Sequence, residues 1–92
     1  MKYSISVIIP TYNEEKLLKT SVPRINQFLK KHFDDYEIII IESGSTDNSG
    51  SICDQLAQVI PNLSVIHEGK RNGIGSAIHI GYAKAKKDLF GL

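Results

Sequence analysis

Apolar runs and segments of helical spacing alternate from one end of this chain to the other. The first run, SISVIIP, is short and β-branched and is stopped by Pro10, so it reads as a strand. NEEKLLKTSVPRINQFLKK follows with helical spacing. Asn13 is a candidate cap, Glu14 and Glu15 suit the positive end of a helix, and Lys30 and Lys31 suit its negative end. Leu17, Leu18, Val22, Ile25, Phe28 and Leu29 form its apolar face. Pro23 lies inside that pattern and predicts a kink or two shorter helices.

The next run, YEIIII, is continuously apolar rather than alternating, the mark of a strand covered on both faces. DNSGSICDQLAQVI is a second helix, with Ile52, Leu56, Val59 and Ile60 inward and Pro61 just past its end. LSVIH is a third strand. IGSAIHIGYAKAKK is a third helix, packed through Ile74, Ala77, Ile78, Gly81 and Ala85, whose small members let it lie close to a sheet. DLFGL reads as the opening of a fourth strand.

Strands alternating with helices imply βαβ units with right-handed crossovers. The expected fold is α/β, a three-layer α/β/α sandwich around a Rossmann-like parallel sheet. At 92 residues the expectation is a single domain, 1–92, that buries roughly two-thirds of its unfolded surface. In such sheets ligands bind beyond the carboxyl ends of the strands. The loops expected there are PTYNEE, ESGSTDNS and EGKRNGIGS, all polar and glycine-bearing. KHFDDY and PNL, at the other edge, are plainer connectors.

Composition narrows the partners. A net charge of +1 gives no electrostatic footprint for nucleic acid. Cys53 is the one cysteine, so no internal disulfide forms and nothing points to secretion. The first residues are too poor in apolar positions for a signal peptide, and no segment has the length to cross a bilayer. The expected setting is cytoplasmic, with peripheral membrane attachment left open.

The rim loops offer several chemistries. Tyr12, at a strand end, either stacks on a flat base or covers the sheet, with nothing in its loop to choose between them. Asp47 reads mainly as a helix cap, whereas Glu42 directly follows the buried run and is expected to accept hydrogen bonds at the rim. Gly73 and Gly75, with Lys70 and Arg71, allow a backbone approach to an anion. The loop lacks both the Walker pattern and the third glycine of the dinucleotide fingerprint, since Ile78 stands there; alone it reads better as a flexible turn. His32, His67 and His79 form no ligand set; His67, at a strand end, could reach the rim but reads better as packed or solvated. Cys53 lies on an apolar helix face and reads as core. The sequon at Asn62 has no meaning without secretion.

Taken together, SVIIPTYNEE, EIIIIESGSTDNS and RNGIGSAIHIGYAKAKKDLF resemble the N-terminal part of the family 2 glycosyltransferases, inverting enzymes of the GT-A fold. The resemblance covers essentially the whole chain. It implies that Pro10, Thr11 and Tyr12 hold a nucleoside, with Tyr12 against the base. It places Glu14 near the ribose or base, Glu42 facing the nucleoside, and Arg71 with the Gly73–Gly75 backbone near the nucleoside and diphosphate. The donor would be a UDP- or GDP-sugar, and the acceptor a hydroxyl or a polyprenyl phosphate.

Ser43 stands where the family usually carries a second aspartate that reads the base edge, so base identity stays open. The family's Asp-x-Asp motif, which holds Mg2+ or Mn2+ on the diphosphate, would begin just after Leu92, and the catalytic base lies further on. This implies the donor-binding part of such an enzyme, a fragment inactive by itself, with no catalytic or metal-ligating residue of its own. A first strand left near the sheet edge would favour a homodimer. The alternative is a noncatalytic binding or assembly module using that edge. A third reading, a flavodoxin-like phosphate-binding or signalling domain, has Glu42 at the place of a receiver's strand-end aspartate and no acidic pair of the expected form after the first strand, although Glu14 and Glu15 come close.

Overall fold

The computed structural model describes residues 4–70, 72–87 and, for the backbone alone, 89–91. The order is β1 (Ser4–Thr11), α1 (Glu15–His32), β2 (Asp35–Glu42), α2 (Ser49–Val59), β3 (Leu63–His67), α3 (Ile74–Lys84) and β4 (Leu89–Gly91). The strands form one sheet in the order β3-β2-β1-β4, and every pairing is parallel. Asp88 and Leu92, at either end of the expected fourth strand, lie outside the described residues.

The isoleucine run is explained by coverage from both sides. Ile39 and Ile41 join Ile8 and Ala77 in a core beneath α3. Ile38 and Ile40 point the other way, into a core with Leu18, Val22, Ile52 and Cys53 from α1 and α2. None of the four isoleucines is more than 1% exposed. At roughly 1.5–3 kcal/mol per fully buried side chain, four contribute on the order of 6–12 kcal/mol before chain entropy is subtracted. That is comparable to the net stability of a small domain. The three layers expected from the sequence are present.

Several local expectations need correction. Pro10 does not end β1, which runs on to Thr11. The Thr11 carbonyl accepts from the N–H of Ser43, the residue just after β2, so by alternation the missing N–H of Pro10 faces the β4 side. β4 pairs only with Ile5, Ser6 and Val7, so no described strand needs a donor at Pro10. Pro23 does not split α1, which is one helix of 18 residues. The carbonyl left without a partner belongs to Lys19, an exposed residue, where water can serve it.

The apolar helix faces are narrower than the sequence implied. Leu17, Phe28, Val59 and Ile74 are exposed, because each helix turns only one stripe toward the sheet. Phe28 instead lies against His32, with ring centroids 4.4 Å apart. The third helix ends at Lys84, three residues short of Lys87, where backbone N–H groups turn to Glu37 and Ser6 at the far edge of the sheet.

Gly81 shows how close α3 lies. A Cβ there would sit 2.9 Å from Ile8 Cδ1 and Cγ1 and closer still to Cγ2. Ile8 is buried and β-branched, so it has little room to yield. Gly81→Ala should therefore destabilise the fold by about 1–2 kcal/mol, overpacking outweighing the roughly 1 kcal/mol gain in helix propensity. A urea midpoint that holds or rises would contradict this close packing.

Candidate functional site

A cleft of about 180 Å3 opens beyond the carboxyl ends of β1 and β2, beneath the start of α3. Pro10, Thr11, Tyr12 and Glu14 line one wall, Ser43 the floor's other strand, and Gly73, Ile74 and Ala77 the helix side. Its volume falls below the roughly 300–1,000 Å3 of ordinary small-molecule sites. It has room for a base, not for a whole nucleoside-diphospho-sugar. The exposed Ile74 forms its lip.

Ser43 is buried and donates its hydroxyl to Glu68 Oε1 at 2.6 Å. Asn72 Nδ2 and Ser76 Oγ both reach Glu68 Oε2 at 3.0 Å. The Ser43 hydrogen bond, with those of Asn72 and Ser76, holds the Glu68 carboxyl below its ordinary range. Glu68 thus ties the end of β2 to the entry of α3. It directly follows β3 as Glu42 closes β2, and that shared signal, a carboxylate at a strand end, could have singled it out.

Glu42 faces the other way. It follows Ile38 and Ile40 toward α2, and it is not among the residues lining the cleft. Its Oε2 accepts from the Ser45 N–H at 2.5 Å, and its Oε1 lies 2.7 Å from His67 Nδ1. Burial alone would raise the Glu42 pKa, but the His67 and Ser45 hydrogen bonds outweigh it and hold it low. His67 Nε2 in turn meets Asp54 Oδ1 at 2.8 Å. Bonding to Glu42 first, and to Asp54, raises the His67 pKa. The expectation that His67 is merely packed or solvated is therefore corrected: it bridges two carboxylates at the rim.

The loop after β2 also braces α1. Asn13 adopts a left-handed φ of 52°, which asparagine tolerates. Its expected capping role is replaced: its Oδ1 accepts from the Thr46 N–H at 2.8 Å. The Glu14 N–H donates to Ser49 Oγ at 2.8 Å and the Glu15 N–H to Asp47 Oδ2 at 3.4 Å. Asp47 Oδ1 accepts from the Ser49 N–H at 2.8 Å, so Asp47 serves the starts of both α1 and α2. Gly44, at φ 64°, brings this loop against the next one: a Cβ there would lie 2.6 Å from Lys70 Cα.

The structure therefore gathers Pro10, Thr11, Tyr12, Glu14, Ser43 and Gly73 around one cleft. Gly75 lies on the first turn of α3 but not on the cleft wall, and Arg71 is outside the described residues. Among the described residues no three His, Cys, Asp or Glu side chains converge as a metal site would require. Glu42 and Glu68 already accept on both oxygens.

This geometry has relatives. The model of glycosyl transferase family 2 matches residues 6–92. The chain belongs to that family. The glycosyltransferase GlyG of Streptococcus pneumoniae is 38% identical over 94% of this chain and 28% of its own length. The dolichol-phosphate mannosyltransferase of Pyrococcus furiosus is 35% identical over 94% of this chain and 24% of its own. Among solved structures, the mannosyltransferase PcManGT from Pyrobaculum calidifontis, in complex with GDP-Man and Mn2+, superposes with a TM-score of 0.84 at 26% identity. It is matched over 98% of this chain and 26% of its own. The family and the GT-A fold implied by the sequence are borne out, and the chain spans about a quarter of these family members' length.

The His67 bridge sets a pH window. A raised His67 pKa gives stability that is full below the ordinary 6.5 and lost as pH rises through the folded value. A lowered Glu42 pKa gives stability present above the ordinary 4.5 and lost as pH falls through the folded value. Stability from the pair should therefore be greatest between about 4.5 and 6.5. His67→Gln should flatten the alkaline side of a stability–pH curve measured by urea unfolding. An unchanged curve would show that the bridge does not form in solution.

Proposed function

We propose that this chain is the donor-nucleotide-binding unit of a family 2 glycosyltransferase, spanning residues 1–92. The whole enzyme would transfer a sugar, with inversion, from a UDP- or GDP-sugar to an acceptor hydroxyl or a polyprenyl phosphate. The observation that carries this reading is the base-sized cleft at the carboxyl ends of β1 and β2, the place where parallel sheets receive ligands. Named family members support the donor and acceptor classes: one solved mannosyltransferase holds GDP-Man, and a curated relative from Proteus mirabilis is an undecaprenyl-phosphate 4-deoxy-4-formamido-L-arabinose transferase.

In this reading Tyr12 stacks on the base, and Pro10 and Thr11 shape the wall behind it. Glu14, exposed at the cleft, accepts from ribose or base donors. Ser43 meets the base edge. The Gly73–Gly75 backbone at the start of α3, with Arg71, faces the diphosphate. Glu42 acts at one remove, holding the Ser45 loop in place. A divalent ion, Mg2+ or Mn2+, would offset charge on the leaving diphosphate, but the described side chains do not form its ligand set. Residues outside them would have to supply it, together with the base that deprotonates the acceptor. No described helix is long and apolar enough to cross a membrane.

A second reading, an assembly module that dimerises through β1, is favoured by one observation: beyond Val7, no described strand pairs with β1 on its β4 side. Pro10 on that stretch removes a donor and blunts the edge. A dimer seen by sedimentation that persists while no nucleotide binds would favour this second reading.

Calorimetric titration with UDP and with GDP tests the first. Tyr12→Ala should weaken the tighter nucleotide by about five-fold or more, since base stacking is worth roughly 1–3 kcal/mol. Equal affinity for variant and wild type would remove Tyr12 from the site.

A further inference from the structure

Ser43 lines the cleft, yet its hydroxyl proton is already committed. Glu68 is held as a carboxylate by three donors, and a carboxylate only accepts. A serine hydroxyl carries one proton and two lone pairs. With the proton on the bond to Glu68, Ser43 can offer the cleft only a lone pair. We infer that Glu68 is a positioning residue: by accepting from Ser43 it makes that hydroxyl a hydrogen-bond acceptor toward the cleft, which selects a base with a ring N–H. This rests on the nucleotide-binding reading above and deepens it.

The selected class is a nucleoside diphosphate whose base carries an imide N–H. Uracil has that donor at N3, and guanine has it at N1. Cytosine and adenine present a bare ring nitrogen in the same place, which would meet the Ser43 lone pair with repulsion. A serine thus takes up the work of a charged group on the base edge, because Glu68 stands 2.6 Å behind it.

Replacing Glu68 by glutamine should reverse the polarity. Asn72 and Ser76 both donate to the same oxygen, Oε2. The amide oxygen of a glutamine would take that place, and its NH2 would face Ser43. Ser43 would then accept from residue 68 and turn its proton into the cleft. A structural role alone would weaken all nucleotides together; this role moves the ratio between them.

The test is calorimetric titration of the chain, wild type and E68Q, with UDP and CDP, or with GDP and ADP if GDP binds more tightly than UDP. Wild type should prefer the N–H base by at least about five-fold, the scale of one hydrogen bond. E68Q should lose or invert that preference. Ser43→Ala should bring the ratio near one while Asn72 and Ser76 still hold Glu68 through Oε2, which keeps the test open should E68Q fold poorly. Binding without discrimination in the wild type, or a preference that survives both substitutions, would overturn the inference while leaving the nucleotide site standing. Absence of binding by all these nucleotides would overturn both.

Discussion

The two-residue period of β2 decides where each polar group at its end must go. Ile39 and Ile41 face α3, and Ile38 and Ile40 face α1 and α2. The next two residues inherit those directions. Ser43 falls on the α3 side, where the cleft is, and Glu42 falls on the α2 side, where it meets His67. A register slip of one residue would exchange them. The four isoleucines are interchangeable in such a slip, so it is the polar residues flanking them, Glu37, Glu42 and Ser43, that oppose it.

Two separate polar networks result, one on each face of the same strand end. Glu42, His67 and Asp54 fix the loop after β2 from behind. Glu68, Ser43, Asn72 and Ser76 fix the entry of α3 beside the cleft. Between them Gly44 lets the two loops touch backbone to backbone. The loop after β2 also supplies acceptors to the first turn of α1, so the rim is held by contacts between loops rather than by local caps. Among the described residues no buried side-chain polar atom is left without a partner, consistent with a rim that is set before any ligand arrives.

Much of this was legible in the sequence. The unbroken isoleucine run announced a strand covered twice, and the alternation of periods announced the parallel α/β sandwich. Three rim blocks carried the family. Less was legible where tertiary partners decide. Pro10 looked like a strand end because the short reach of β4, which leaves its missing N–H harmless, is not written in that segment. Leu17 and Phe28 fit a helical face by spacing but sit too far round it to reach the sheet. Glu42 was expected at the cleft with Ser43, although counting residues in twos along β2 separates them. His67 and Glu68, which close and follow β3, gain their roles only when β3 is laid beside β2.

The sidedness of the rim is the point most exposed to experiment. A two-dimensional amide NMR titration of the chain with UDP and then GDP, with Mg2+ present, reads it directly. Shifts gathered at Tyr12, Ser43 and Gly73 to Ala77, with His67 and Asp54 little moved, are the expected result for a base in the cleft beneath α3. Shifts centred on His67 and Asp54, or a folded spectrum that neither nucleotide perturbs, would contradict it.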